Sequence, residues 1–215
     1  MDLSIEQKYI RHGYNFVIGI DEAGRGPLAG PVVAAAITIV NSKKGNGEGS
    51  FRFEKELLKV KDSKKITPKG REKLFEILTN NENIKYGIGI ISEKTIDEKN
   101  ILQATLMAME QAVKNLYAKE PKINLQNSVI LIDGKNILEK LDFDQHSIIN
   151  GDNKVWSIAA ASIIAKVTRD RMMQKYHKKY PQYCFDKHKG YGTKLHFEMI
   201  GKHGQCEIHR KSFLH

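Results

Sequence analysis

The segment Val32–Val40 (VVAAAITIV) is nine residues long and carries no charge. A strand of that kind has no polar face to turn toward water, so it needs a neighbour on each side and cover above and below. It constrains the fold more than any other part of the chain. Phe16–Ile20, rich in β-formers, precedes it across the glycine-rich turn DEAGRGPLAGP (Asp21–Pro31). Together they predict an opening hairpin at the centre of a larger sheet.

The remaining pattern alternates. Ile84–Ile91, Ser128–Ile132 (SVILI) and the brief Ser147–Ile149 read as further strands. Thr67-Pro68 places an N-cap residue before a proline at the first helical position, opening a helix to about Leu78. Asn100–Leu116 has helical periodicity through Leu102, Leu106, Met109 and Val113. Val155–Lys179 reads as a long helix, alanine-rich and then basic, and Thr193 caps a last helix to about His203. The expected fold class is α/β, a mixed central sheet flanked by helices. Asn41–Ser50 (NSKKGNGEGS) reads as a mobile loop rather than a domain boundary. With 215 residues the chain is expected to form a single domain, 1–215, in which about 180–215 is a basic C-terminal extension.

Charge gives the first functional clue. The net charge is +10, and it is unevenly spread: from Lys154 onward there are 13 basic and 4 acidic residues. Such a face suits a polyanion, and nucleic acid is the commonest one. No apolar run reaches the roughly 18–20 residues of a membrane helix, and Met1–Arg11 lacks the apolar centre of a signal peptide. The protein is therefore expected to be soluble, cytoplasmic and free of membrane partners. Its two cysteines, Cys184 and Cys206, are expected to be reduced. Cys184-x3-His188 and Cys206-x2-His209 have the spacing of zinc ligand pairs, but a His-rich tail produces such pairs by chance, and zinc is not expected.

Asp21 and Glu22 directly follow the first strand, Asp133 follows SVILI, and Asp152 stands just before the long helix. If the first and fourth strands are neighbours, these acids converge where open α/β sheets place their sites. Four clustered carboxylates repel one another unless cations lie between them. Hard oxygen ligands suit Mg2+ or Mn2+, and two such ions balance four acids. Paired divalent ions support phosphodiester hydrolysis. Singly, each acid reads more readily as a turn or cap residue than as a functional one.

DEAGRGPLAGPVVAAAI (Asp21–Ile37) resembles ribonuclease HII, the type 2 ribonuclease H family. The likeness recurs in order through KDSKKIT (Lys61–Thr67), NILQATLMAM (Asn100–Met109), LIDGK (Leu131–Lys135), GDNKVWSIAAASIIAKVTRDR (Gly151–Arg171) and HKGYGTKLH (His188–His196). It spans about Val17 to Phe213. The resemblance implies a ribonuclease H-like fold with a C-terminal helical extension. It implies Asp21, Glu22, Asp133 and Asp152 as the catalytic, metal-binding set, with two Mg2+ or Mn2+ ions expected per site. It implies hydrolysis of the RNA strand of RNA–DNA hybrids and cleavage 5′ of ribonucleotides embedded in duplex DNA, leaving 3′-hydroxyl and 5′-phosphate ends. Roles in ribonucleotide removal and RNA primer removal go with that activity.

By the same resemblance, Gly24, Arg25 and Gly26 read the 2′-hydroxyl through the backbone, and Tyr191 stacks on the deoxyribose after the ribonucleotide. Lys64, His188 and Lys189 are expected phosphate contacts, with Lys64 read equally as a solvated lysine. Asp170 reads either as a partner that orients the site or as a plain i,i+4 surface pair, and Trp156 as core. Cys184 stands where the family commonly has glycine, and the 41–59 region is longer than usual. The sister type, ribonuclease HIII, carries an N-terminal substrate-binding domain, for which the roughly 16 residues before the first strand leave no room. The expected partners are the hybrid and the ribonucleotide-containing duplex, with the chain a monomer. A sliding-clamp contact of the tail is left open. Two other readings stand beside this one: a non-catalytic hybrid-binding module, which has no use for four repelling acids, and another nuclease of the same broad fold, which has no use for the Gly24–Gly26 turn.

Overall fold

A computed structural model describes residues 1–40, 57–60 and 63–214, without the side chains of Leu58, Lys64 and Leu125. The Asn41–Ser50 loop and the Lys64 phosphate contact expected from sequence lie outside the described residues. The described elements run α1 (Ser4–Arg11), β1 (Phe16–Ala23), β2 (Val32–Ile39), α2 (Pro68–Asn80), β3 (Ile84–Ile91), α3 (Glu93–Lys99), α4 (Ile101–Lys119), β4 (Ser128–Asp133), β5 (Asp144–Ile148), α5 (Trp156–Lys179), α6 (Phe185–His188) and α7 (Lys194–His203).

The five strands form one mixed sheet in the order β3-β2-β1-β4-β5. β1 and β2 are the antiparallel hairpin, β3 extends it antiparallel, and β4 and β5 add parallel strands on the other side. Every residue of Val32–Ile37 is fully buried. The period of two sends Val32, Ala34 and Ala36 into the core beneath α4, and Val33, Ala35 and Ile37 into the core beneath α5. Two covering helices thus explain why that strand has no polar face.

Gly19 in β1 faces the backbone of Ser157 and Ile158, and a Cβ there would overlap it. The first turn of α5 therefore lies directly on the strand that carries Asp21. That turn has a second anchor. Glu6 of α1 accepts the Ser157 N–H at 2.7 Å, although the N-cap position, Val155, supplies no side-chain cap. Burial raises the Glu6 pKa. A carboxylate at a helix N-terminus is favourably placed against the helix dipole.

Several boundaries differ from the sequence expectation. β1 continues through Asp21 and Glu22, which pair with Ala35 and Ala34 of β2 rather than following the strand. β5 begins at Asp144, earlier than the apolar residues indicated. It is an edge strand whose backbone pairs with β4 while its side chains are mostly solvated, so hydrophobic pattern does not reveal it. α1 and α3 were not expected: they are short and polar, and α3 buries only Ile96.

Candidate active site

Ile20 and Ile132 are register partners on adjacent parallel strands, so Asp21 and Asp133 follow at neighbouring strand positions. Asp133 Oδ1 accepts the Gly151 N–H at 2.7 Å. That bond ties the short Gly151–Asn153 turn, with its buried Asp152, to the end of β4. Asp21, Glu22 and Asp133 line a cavity of about 260 Å3, together with Gly24–Gly26 and Tyr191. Asp152 does not line it; its Oδ1 accepts from Asn153 Nδ2 at 3.1 Å.

Burial, then the charges of Glu22 and Asp133, push the Asp21 pKa well above the usual carboxylate range, although a hydrogen bond with Ser162 opposes them. Burial also raises Glu22, against the pull of Arg25, whose NH1 stands 3.3 Å from Glu22 Oε1. These carboxyls bind protons more tightly folded than unfolded. The stability they contribute is complete below the ordinary carboxylate pKa and is lost as pH rises through the raised values. Relative to Asp21→Asn, metal-free wild-type protein should therefore lose stability as pH rises above the ordinary carboxylate range, the buried histidines, whose pKa values are lowered, being common to both. Divalent ions should restore its melting temperature most at the alkaline end, a pattern that thermal unfolding with and without chelator would read. A difference between the two proteins that does not change with pH would contradict the repulsion.

The donor set fits a divalent ion in its chemistry: all oxygen, with Asp21 raised by the charges of Glu22 and Asp133, and buried at Asp21 and Asp152. The ion cage is not preformed, since no three His, Cys, Asp or Glu side chains among the described residues are placed to hold one ion.

The cavity wall includes four residues that sequence reading passed over. Ser162 and Lys166 lie one turn apart on α5, Ser63 Oγ and Ser162 Oγ are 2.9 Å apart, and Arg71 NH1 donates to the Ser63 carbonyl at 2.8 Å. A polar i,i+4 stripe through Ser162, Lys166 and Asp170 in a largely apolar helix was the available signal. Asp170 pairs with Lys166 at 2.8 Å; the pair has i,i+4 spacing but is part-buried, and its lysine stands on the cavity wall, so it is not a plain surface pair.

Two buried arginines shape the glycine turn. Arg169 donates to the carbonyls of Pro31 (2.9 Å), Ala29 (3.0 Å) and Lys189 (2.9 Å). Arg210 donates to those of Gly30 (2.9 Å), Arg25 (2.9 Å) and Gly24 (2.6 Å). Burial, then the neighbouring charge of Arg169, pulls Arg210 down to about 9. Gly24 has φ +101°, and a Cβ there would overlap the Arg169 side chain. The backbone of the tail closes on the same turn: Leu28 N–H donates to Gly190, Gly30 N–H to Ile208 and Arg210 N–H to Leu28, each at 2.8 Å.

Tyr191 is 41% exposed, with Lys166 Nζ 5.5 Å and Arg169 Cζ 5.8 Å from its ring centroid. The neighbouring expectation for His188 needs correction. His188 is buried, its Nε2 lies 2.8 Å from the Tyr183 carbonyl and its Nδ1 accepts the Gly190 N–H, so neither ring nitrogen is free for a phosphate. Lys189 is half-buried, donates to the Asp186 carbonyl and turns the chain at φ +52°; its ammonium keeps further donors. Cys184, where glycine is common in the family resembled, adopts φ +56°. Trp156 is core, its Nε1 donating to the Leu57 carbonyl at 2.9 Å.

A five-stranded mixed sheet with acids at adjacent strand ends, flanked by helices on both faces, defines a ribonuclease H-like α/β protein. The model of the family described as Ribonuclease HII matches residues 18–215. A ribonuclease HII of Caldicellulosiruptor bescii is 50% identical over 210 residues, 98% of this chain and 92% of that protein. The crystal structure of the ribonuclease H2 from Pyrococcus horikoshii OT3 aligns with TM-score 0.66 at 30% identity, over 92% of this chain and 93% of that one. The ribonuclease HII of Archaeoglobus fulgidus, solved as a complex with PCNA, aligns with TM-score 0.67 at 24% identity, over 91% and 94%, and shares the fold. The chain belongs to the ribonuclease HII family.

Proposed function

We propose that this chain is a metal-dependent endoribonuclease that hydrolyses the RNA strand of RNA–DNA hybrids and cuts 5′ of single ribonucleotides in duplex DNA, leaving 3′-hydroxyl and 5′-phosphate ends. The observation that carries the proposal is the convergence of Asp21, Glu22 and Asp133 on one cavity that the Gly24–Gly26 turn and Tyr191 also wall. Asp21, Glu22, Asp133 and Asp152 are the residues that would hold Mg2+ or Mn2+, two ions by charge balance. Bound there, the ions would supply activation of water and stabilisation of the leaving oxygen. The chain's own groups bind and orient. Ser162 donates to Asp21 and holds its carboxylate in place. Lys166, on the cavity wall, offers a positive charge to a phosphate. Gly24–Gly26 admits a ribose close to its backbone, and the 2′-hydroxyl is the group that distinguishes RNA from DNA.

Cleavage of a duplex with one embedded ribonucleotide, with and without Mg2+ or Mn2+, tests the proposal. No cut at the ribonucleotide in either metal would sink it. Tyr191→Ala should lose about tenfold or more on that duplex, because a stacking ring contributes roughly 1–3 kcal/mol, while Tyr191→Phe should stay near wild type. Equal rates for wild type and Tyr191→Ala would make Tyr191 a turn residue only.

The basic tail should carry non-specific affinity. Lys187→Ala with Lys194→Ala should lower the salt slope of hybrid binding by up to about 2, since each phosphate contact contributes roughly 0.7–0.9. An unchanged slope would place the binding surface elsewhere. The protein is proposed to act as a monomer. A sliding-clamp contact, by analogy with the Archaeoglobus complex, is a separate proposal that co-elution with a clamp would test.

A further inference from the structure

Three imidazoles pack together behind Tyr191. His188 and His196 stack with centroids 4.3 Å apart and planes at 19°, and His209 lies 5.2 Å from His196. All three are buried. Their partners settle the tautomers. The Tyr191 carbonyl can only accept, so His196 Nδ1, 3.0 Å away, carries a hydrogen and donates it. A neutral ring has one N–H, so His196 Nε2 accepts, and His209 Nε2 at 3.1 Å is the donor. His209 Nδ1 must then accept, and the Cys206 backbone N–H donates to it at 2.8 Å, closer than the Cys206 Sγ at 3.2 Å and carbonyl at 3.3 Å. The chain closes with no hydrogen missing and none in surplus: Cys206 to His209, His209 to His196, His196 to Tyr191.

His188 is fixed independently. Its Nδ1 accepts the Gly190 N–H at 3.2 Å, which leaves Nε2–H to donate to the Tyr183 carbonyl at 2.8 Å. The environment agrees with neutral rings. Burial, with His188 beside it, pulls His196 down to about 4, and burial lowers the other two.

Tyr191 sits between Gly190 and Gly192, so neighbouring side chains do little to hold it. Its N–H donates to the His188 carbonyl at 2.9 Å, and its carbonyl receives two donors, the Thr193 N–H at 2.8 Å and, at 3.0 Å, the end of the imidazole chain. We propose that His196 and His209 are positioning residues: a neutral, one-directional imidazole relay that fixes the Tyr191 backbone and so places its ring against the sugar that follows the ribonucleotide. The inference rests on the reading of Tyr191 as a sugar contact and adds to it which buried groups set that contact.

Long-range 15N correlation spectra of the wild-type protein should show His196 protonated at Nδ1 and His188 and His209 at Nε2. A His196 protonated at Nε2 would overturn the relay. In kinetics, His196→Leu and His209→Leu should each raise KM for the single-ribonucleotide duplex about fivefold to tenfold, with kcat and all-RNA hybrid cleavage near wild type. His196→Asn keeps a donor at the δ position and His209→Gln keeps one at the ε position, so both should restore KM. An equal loss on both substrates that these variants do not rescue would mean a purely structural role and would overturn the inference. If Tyr191→Ala impairs junction cleavage while the leucine variants do not, this inference alone fails. If Tyr191→Ala is without effect, the Tyr191 reading fails and this inference with it.

Discussion

Asp21→Asn should lower turnover on a single-ribonucleotide duplex by on the order of a thousandfold or more, while hybrid affinity stays within a few fold. The carboxylate sits at the centre of the acidic cluster, buried at 5% exposure, and is raised by Glu22 and Asp133 together. An amide keeps the shape and loses the charge, so the divalent ion loses a strong oxygen donor. Substrate affinity should persist because the basic residues proposed to meet phosphates, Lys166 on the cavity wall and those of the tail, are left unchanged. Removing one of several repelling charges should also leave the metal-free variant at least as stable as wild type at pH 8. Single-turnover cleavage, gel shift and thermal unfolding of the same preparation would check all three. Substantial residual turnover would remove Asp21 from the catalytic set. A stability loss at pH 8 would mean that Asp21 is held by favourable bonds rather than by enforced crowding.

Arg169→Met should destabilise the protein by roughly 3–5 kcal/mol, because it strands three buried carbonyls that otherwise receive donors. Relief of a buried positive charge offsets part of that loss. For a chain of this size the melting temperature should fall by roughly 10 °C. Arg169→Lys should rescue little, since an ammonium cannot reproduce a planar fork that reaches Pro31, Ala29 and Lys189 at once. Junction cleavage should fall even well below the melting transition, because Arg169 also backs Gly24 and lies under the Tyr191 ring. A lysine variant as stable as wild type would show that the carbonyls find water or other donors instead. Arg210, which binds the other half of the same turn, should behave alike.

How much of this was legible beforehand differs by residue. The hairpin and the long helices followed from apolar period and turn chemistry, which are local properties, whereas the adjacency of β1 and β4 was only a condition that the sheet order meets. Thr67 and Thr193 cap their helices through side-chain oxygens as expected. β5 was misplaced because pairing at a sheet edge needs backbone only, and its side chains are left polar. Glu6, in a short polar helix, gave no sign that it would cap α5 across 151 residues of sequence. The expectation of a phosphate contact at His188 came with the tail motif HKGYGTKLH, not from its surroundings. The side chain is instead buried by the packing of Phe185, His196 and its own backbone partners.

The sequence by itself determined the class of sheet and the family and pointed to the four acids as candidates, since each is carried by residues close in the chain or by ordered motifs. Only the tertiary structure decided which polar groups are working surface and which are internal supports. Arg169, Arg210, His196 and His209 look in sequence like more of the basic face. Folding the tail against the Gly24–Pro31 turn removes them from water, and a buried polar group has to find partners. Those partners are backbone carbonyls and other imidazoles far away in sequence, and no local pattern encodes them.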